Sequence, residues 1–200
     1  MIAVVDYGAG NLFSLCNSLS YLQLPYTLVS RPEQLDEADS IILPGVGAFR
    51  DAMEKLLSAG LCEPLRRQAE KKPLLGICLG MQLLFEEGTE FGKTQGLGLI
   101  PGRVVKIEAP GLRVPHIGWN ETHRGVPCPL TEGLREGEYF YFVHSYRAET
   151  EQRYIALSTE YGEKIPALVS SGSVYGAQFH PEKSSAAGLQ ILKSFGGLKK

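Results

Sequence analysis

Short β-branched apolar runs bounded by turn residues alternate, over the first half of the chain, with longer segments whose apolar positions recur at helical spacing. Ile2-Ala3-Val4-Val5-Asp6 predicts a strand, residues 11–23 an amphipathic helix with Leu12, Leu15, Leu19 and Leu22 on one face, and residues 26–29 a second strand. Residues 38–43 predict a strand, 48–57 and 61–71 helices, 74–77 an apolar strand running straight into Cys78, and 79–87 a further helix. This order predicts an α/β fold: a mostly parallel central sheet, buried on both faces and flanked by helices, of flavodoxin-like type.

From residue 103 to 179 the pattern changes to short strands separated by Gly and Pro, among them residues 103–107, 139–143 and 173–179, which predicts an additional antiparallel or mixed β portion in the second half. Ser184 or Ser185 is placed to cap a last helix carrying Leu189, Ile191, Leu192 and Phe195, and Gly196-Gly197 ends it. With no internal repeat, low-complexity tract or linker, residues 1–200 read as one domain.

Charge narrows the function classes. The 20 basic and 22 acidic side chains supply no basic stripe of the kind that a phosphate backbone requires, so nucleic acid is not an expected partner. The opening residues lack the charged start and cleavage site of a signal peptide, and the longest mostly apolar stretch, residues 73–85, is broken by Gly76, Gly80 and Gln82 and is too short for a bilayer. No membrane association and a cytoplasmic location are expected. Cys16, Cys62, Cys78 and Cys128 show no CxxC spacing, which predicts free thiols and no metal site; no cofactor is expected either.

Gly76-Ile77-Cys78-Leu79-Gly80 lies between a predicted strand and a predicted helix with the G-x-nucleophile-x-G spacing of a strand-to-helix elbow. Such a turn presents the nucleophile at the carboxyl end of the sheet, and a helix N-terminus there favours the attacking thiolate. The pentapeptide alone leaves open a buried core cysteine. Phe179-His180-Pro181-Glu182 sets an imidazole and a carboxylate two positions apart, on the same side of an extended chain. His180 can act as the base and Glu182 can fix its tautomer, although a His-Pro-Glu loop by itself is more often a solvated turn. Pro44-Gly45-Val46-Gly47, straight after a strand, and the amide of Leu79 can supply the donors of an oxyanion hole; an ordinary βα turn is the alternative.

Among the remaining candidates, His116, His123 and His144 read as structural or solvated. Asp6-Tyr7-Gly8-Ala9-Gly10-Asn11 has two glycines but not a full GxGxxG, which argues against nucleotide binding. Trp119, the single tryptophan, can be core or contact surface.

Cys78 with Gly76, Gly80 and Gln82, the segment 44–47 and His180-Pro181-Glu182 together resemble the class I glutamine amidotransferases in order and spacing, over nearly the whole chain. Residues 6–11, 44–47, 116–120 and 143–146 are similar to the motifs of one subfamily, the glutaminase subunits of imidazole glycerol phosphate synthases. The resemblance implies a glutamyl thioester on Cys78, proton shuttling by His180, orientation of His180 by Glu182, and release of glutamate by water. It also implies L-glutamine held by Gln82, Glu90, Ser145 and Tyr146. A TIM-barrel cyclase subunit of histidine biosynthesis is the implied partner, and Asn11, Trp119 and Lys183 fall in motifs that would meet it. The oxyanion hole in such enzymes is thought to be completed only when the partner binds its substrate, so the isolated chain is expected to be a weak glutaminase. Other readings are a glutaminase of the pyridoxal phosphate, anthranilate or purine pathway, a catalytically silent interaction module, and a hydrolase of other amides.

Overall fold

The computed structural model describes residues 1–198. Its first half is built from β1 (Ile2–Val5), α1 (Leu12–Tyr21), β2 (Tyr26–Val29), β3 (Ser40–Gly45), α2 (Phe49–Ser58), α3 (Cys62–Ala69), β4 (Leu74–Cys78) and the single turn α4 (Leu79–Gln82). There follow β5 (Phe85–Gly88), β6 (Thr94–Gln95), β7 (Ile100–Lys106), β8 (His116–Glu121), β9 (His123–Arg124), β10 (Tyr139–His144) and β11 (Tyr146–Glu149). The chain ends with β12 (Ile155–Glu160), β13 (Lys164–Ser171), β14 (Val174–Ala177) and α5 (Ser185–Gly197).

Eight strands form the main sheet in the order β2-β1-β3-β4-β14-β13-β12-β9. The first five run parallel and the last three alternate, which is the mostly parallel sheet that the hydrophobic pattern predicts. The strands are apolar on both faces because each face carries its own core. Ala3, Val5, Ile41 and Leu43 pack with α2 and α3 on one side, while Ile2, Val4, Ile42 and Ile77 pack with α1 and α5 on the other. A four-stranded sheet, β11-β7-β5-β6, and the antiparallel pair β8/β10 make up the additional β portion.

Two expectations are corrected. The predicted helix over 79–87 stops at Gln82 and becomes β5, because the carbonyls of Leu83, Leu84, Phe85 and Glu86 accept from the amides of residues 96–100 instead of from their own i+4 neighbours. The strand predicted at 38–43 runs from Ser40 to Gly45, since parallel pairing with β4 continues through Pro44 and sets Gly45 opposite Cys78. Val174–Ala177 joins the two portions, pairing antiparallel with β13 as the mixed pattern predicts. It also pairs in parallel with β4, so the chain leaving it arrives beside the end of the cysteine strand.

Candidate active site

Cys78 ends the central strand with φ 54° and ψ −111°, a left-handed conformation that costs a non-glycine residue of order 1–3 kcal/mol. The strain persists because the surroundings leave no other path. A Cβ on Gly80 would lie 1.8 Å from the Leu43 carbonyl oxygen, and one on Gly76 would lie 2.5 Å from the Gly80 carbonyl oxygen. The two glycines let α4 fold back against β3 and β4, and the cysteine takes up the turn. The sulfur is not presented openly. Cys78 is 7% exposed, with Sγ 3.8 Å from the Val143 carbonyl oxygen and 3.9 Å from Nε2 of Gln178. Because α4 is one turn long, its dipole contributes less to a thiolate than the predicted longer helix would.

His180 comes to Cys78 by long-range hydrogen bonds. Its amide donates to the Tyr141 carbonyl at 3.0 Å, and its carbonyl accepts from the Ser184 hydroxyl at 2.6 Å, while the same hydroxyl accepts from the Tyr141 amide at 3.0 Å. Ser184 precedes α5, yet its side chain makes no cap bond; it is spent on this bridge, a correction to the predicted capping role. The ring Nδ1–H donates to Glu182 Oε1 at 2.8 Å, and both side chains are almost fully buried. Nε2 of His180 is buried with no hydrogen-bond partner, as is Oε2 of Glu182. Burial opposes the imidazolium, but the Cys78 sulfur and the Glu182 carboxylate outweigh it and raise the His180 pKa well above the ordinary imidazole value.

A cavity of about 300 Å³ opens over the sulfur, a size suited to a free amino acid. Cys78, His180, Leu79, Val46, Gly47, Gln82, Glu90, Ser145 and Tyr146 all line it, bringing together most of the residues the sequence singles out. Gly47 has φ +105° with open space around it, and Val46 is 45% exposed. Gly45 does not line this cavity; it borders a small cleft behind it with Asn11, His180 and Glu182. The Tyr7 hydroxyl donates to the Pro44 carbonyl at 3.0 Å and so pins the base of that loop. Gln82 donates from Nε2 to the Tyr146 carbonyl and to Oε1 of Gln178, both at 3.0 Å. Glu90 Oε2 accepts from the Phe49 amide at 2.8 Å, satisfying a free N–H at the start of α2.

Sequence reading passed over Gln178 and Ser184, and set His144 aside as structural. Gln178 could have been found from its position two before His180, on the same side of an extended segment. The Ser184 signal is masked by its plausibility as a cap. His144 also lines the cavity; burial lowers its pKa to about 4, with His116 and His180 adding to the fall. His123 is half exposed. Outside the cavity, Trp119 is 47% exposed with its ring 6.1 Å from that of Tyr141, over which Lys183 Nζ sits at 5.9 Å. Asn11 caps α1, its Oδ1 accepting from the Ser14 amide at 3.4 Å. Among the described residues no cluster of side chains suits a metal ion.

A strained elbow cysteine facing a buried His–Glu pair in an amino-acid-sized cavity is equipped for acyl transfer through a thioester. Residues 3–196 match the family model for class-I glutamine amidotransferases, and the chain belongs to that family. It is 52% identical to the imidazole glycerol phosphate synthase subunit HisH of Desulfitobacterium hafniense strain DCB-2, over 98% of this chain and 93% of that one. It is 50% identical to the HisH subunit of Shouchella clausii, over 99% and 98%. Among solved structures, a glutamine amidotransferase superposes with a TM-score of 0.77 over 99% of this chain and 100% of the other, at 20% identity. PurLQS from Thermotoga maritima gives 0.76 over 97% and 96%, at 21% identity; both likenesses concern the fold.

Proposed function

We propose that the chain is the glutaminase subunit of an imidazole glycerol phosphate synthase, hydrolysing L-glutamine and passing the ammonia to a TIM-barrel cyclase subunit of histidine biosynthesis. The observation that carries the chemistry is the opening of Cys78 and His180 onto one cavity, with Glu182 2.8 Å behind the imidazole. The destination of the ammonia rests on relatives about half identical over almost their full length that are named as subunits of that synthase.

The Cys78 thiolate attacks the side-chain amide carbon of glutamine, and amides at Val46, Gly47 and Leu79 receive the oxyanion. His180, held as imidazolium between the sulfur and Glu182, gives its proton to the departing amine. The thioester then takes a water whose proton returns to His180, and glutamate leaves. Gln82, Glu90, Ser145 and Tyr146 hold the substrate. The exposed Val46 and the unobstructed left-handed Gly47 leave this part of the hole mobile, which supports a peptide that reorients only when the partner engages.

The surface formed by Trp119, Tyr141 and Lys183, together with Asn11 beside the cleft behind the triad, is the side turned to the cyclase. No helix among the described residues is long and apolar enough to cross a membrane. Free thiols suit a cytoplasmic location.

Glutamate release by the chain alone, with the cyclase, and with the cyclase and its ligand tests the reading. A slow rate alone and a large rise in the loaded complex are expected; equal rates in all three would remove the gating. Trp119→Ala together with Lys183→Ala should weaken the complex without altering the fold, and unchanged affinity by calorimetry would remove the assigned surface.

A further inference from the structure

Two buried imidazoles stand outside the proposed mechanism, and their partners restrict their protons. His144 Nδ1 lies 2.8 Å from the Tyr146 carbonyl oxygen, His144 Nε2 lies 3.1 Å from His116 Nδ1, and His116 Nε2 lies 3.0 Å from Asn120 Oδ1. The orientation of Asn120 follows from its Nδ2, which donates to the Glu160 carbonyl at 3.0 Å. The row therefore ends in an acceptor on both sides. Three contacts at hydrogen-bond distance need three ring protons, whereas two neutral imidazoles carry two. With two, one contact sets lone pair against lone pair, and His116 is fully buried, so its ring has no water to turn to.

We propose that His116 and His144 share one excess proton, and that this buried cationic pair is a positioning element for the nucleophile. The assignment of a role in catalysis rests on the glutaminase reading above; the proton count does not. The Tyr146 carbonyl that His144 engages is the one that also accepts from Gln82, and Gln82 in turn holds Oε1 of Gln178, whose Nε2 faces the Cys78 sulfur. Fixing that carbonyl fixes the amide pair behind the cysteine.

The surroundings supply what a buried cation needs. His116 is sandwiched between the rings of Tyr161, at 3.9 Å and 20°, and Phe142, at 5.0 Å and 19°, and aromatic faces attract positive charge. Titratable groups near the pair are Tyr161 against His116, Tyr146 on β11, and Cys78, Glu90 and His180, which line the same cavity as His144. Burial is the larger influence and lowers both imidazole pKa values, with the His116 and His180 charges adding to the fall at His144, while the acceptors at the two ends oppose it.

Nitrogen-resolved NMR of the full chain carrying isotope-labelled histidine reads the proton count directly at neutral pH. The expected result is protonation of His144 Nδ1 and of both His116 nitrogens, with His144 Nε2 as acceptor; two neutral rings overturn the proposal. The positioning role is read by the rate at which iodoacetamide alkylates Cys78, which requires no glutamine. His116→Leu should slow alkylation by up to about 10²-fold, the scale of a reacting group misplaced by about 1 Å. His116→Lys, which restores a buried cation and a donor, should recover part of the loss. An unchanged alkylation rate in a folded His116→Leu protein overturns the positioning role, whether or not the chain proves to be a glutaminase.

Discussion

Cys78 and His180 face one cavity from the ends of neighbouring parallel strands, but they are held there differently. Around Cys78 the constraint is steric: Gly76 and Gly80 bring backbone against backbone, and the strained φ of the cysteine is what remains once the turn has closed. Around His180 the packing is also close, since a Cβ on Gly188 would lie 2.0 Å from the Pro181 carbonyl oxygen, but the crowding falls on the segment that follows the imidazole. His180 is held by a hydrogen bond to the Tyr141 carbonyl and by the Ser184 hydroxyl, which ties the local His180 carbonyl to the Tyr141 amide 43 residues from Ser184. Steric constraints allow no graded loosening, whereas hydrogen-bonded ones can be weakened one at a time. Cys78, the proposed nucleophile, is thus the more rigidly fixed, and His180, the proposed base, the more adjustable.

The largest effect should come from Gly80→Ala. With its Cβ 1.8 Å from the Leu43 carbonyl oxygen, β3 and α4 must separate. A loss of about 4 kcal/mol in urea unfolding is expected, together with loss of glutaminase activity. A loss below about 1 kcal/mol would show the elbow to be compliant and would end the contrast.

Glu182→Gln keeps the shape of the loop and removes the charge behind the imidazole. The turnover rate should drop by about 10² to 10⁴, the range of general acid–base catalysis. Because the folded protein raises the His180 pKa, the stabilisation from its proton is complete below the ordinary value of 6.5 and is lost as pH rises through the raised one. Removing the carboxylate lowers that upper value. The alkaline limb of kcat/KM should move to lower pH in Glu182→Gln, and an unmoved limb would mean that Glu182 does not support the imidazolium.

Ser184→Ala should have the smallest effect. It leaves the Tyr141 amide without its partner, at a cost of about 1–3 kcal/mol, and should lower turnover about tenfold while the affinity for glutamine stays the same. Wild-type turnover in this variant would show that the loop is held without the bridge.

Much of this site is legible in the amino acids because its constraints are local. Glycines at positions 76 and 80, an apolar run before Cys78 and a proline beside His180 each limit the backbone within a few residues, and the βα alternation follows from apolar spacing. The failures share a cause. Residues 79–87 read as helix because Leu83, Leu84 and Phe85 suit either a buried helix or a strand, and the hydrogen bonds that choose come from residues 96–100. Ser184 reads as a cap because serine before a helix usually is one; the amide that claims its hydroxyl is 43 residues away.

Spacing and the family resemblance together pointed to the fold class, the elbow and the three residues that the structure brings close. They could not settle the pairing of β14 with β4, which delivers His180 to Cys78, the Ser184 bridge that holds it there, or the row of buried contacts from Asn120 to Gln178. Local sterics act between neighbours along the chain and leave a mark in the residue pattern. Contacts across the sheet depend on which distant strand arrives, and they exist only once the chain has packed.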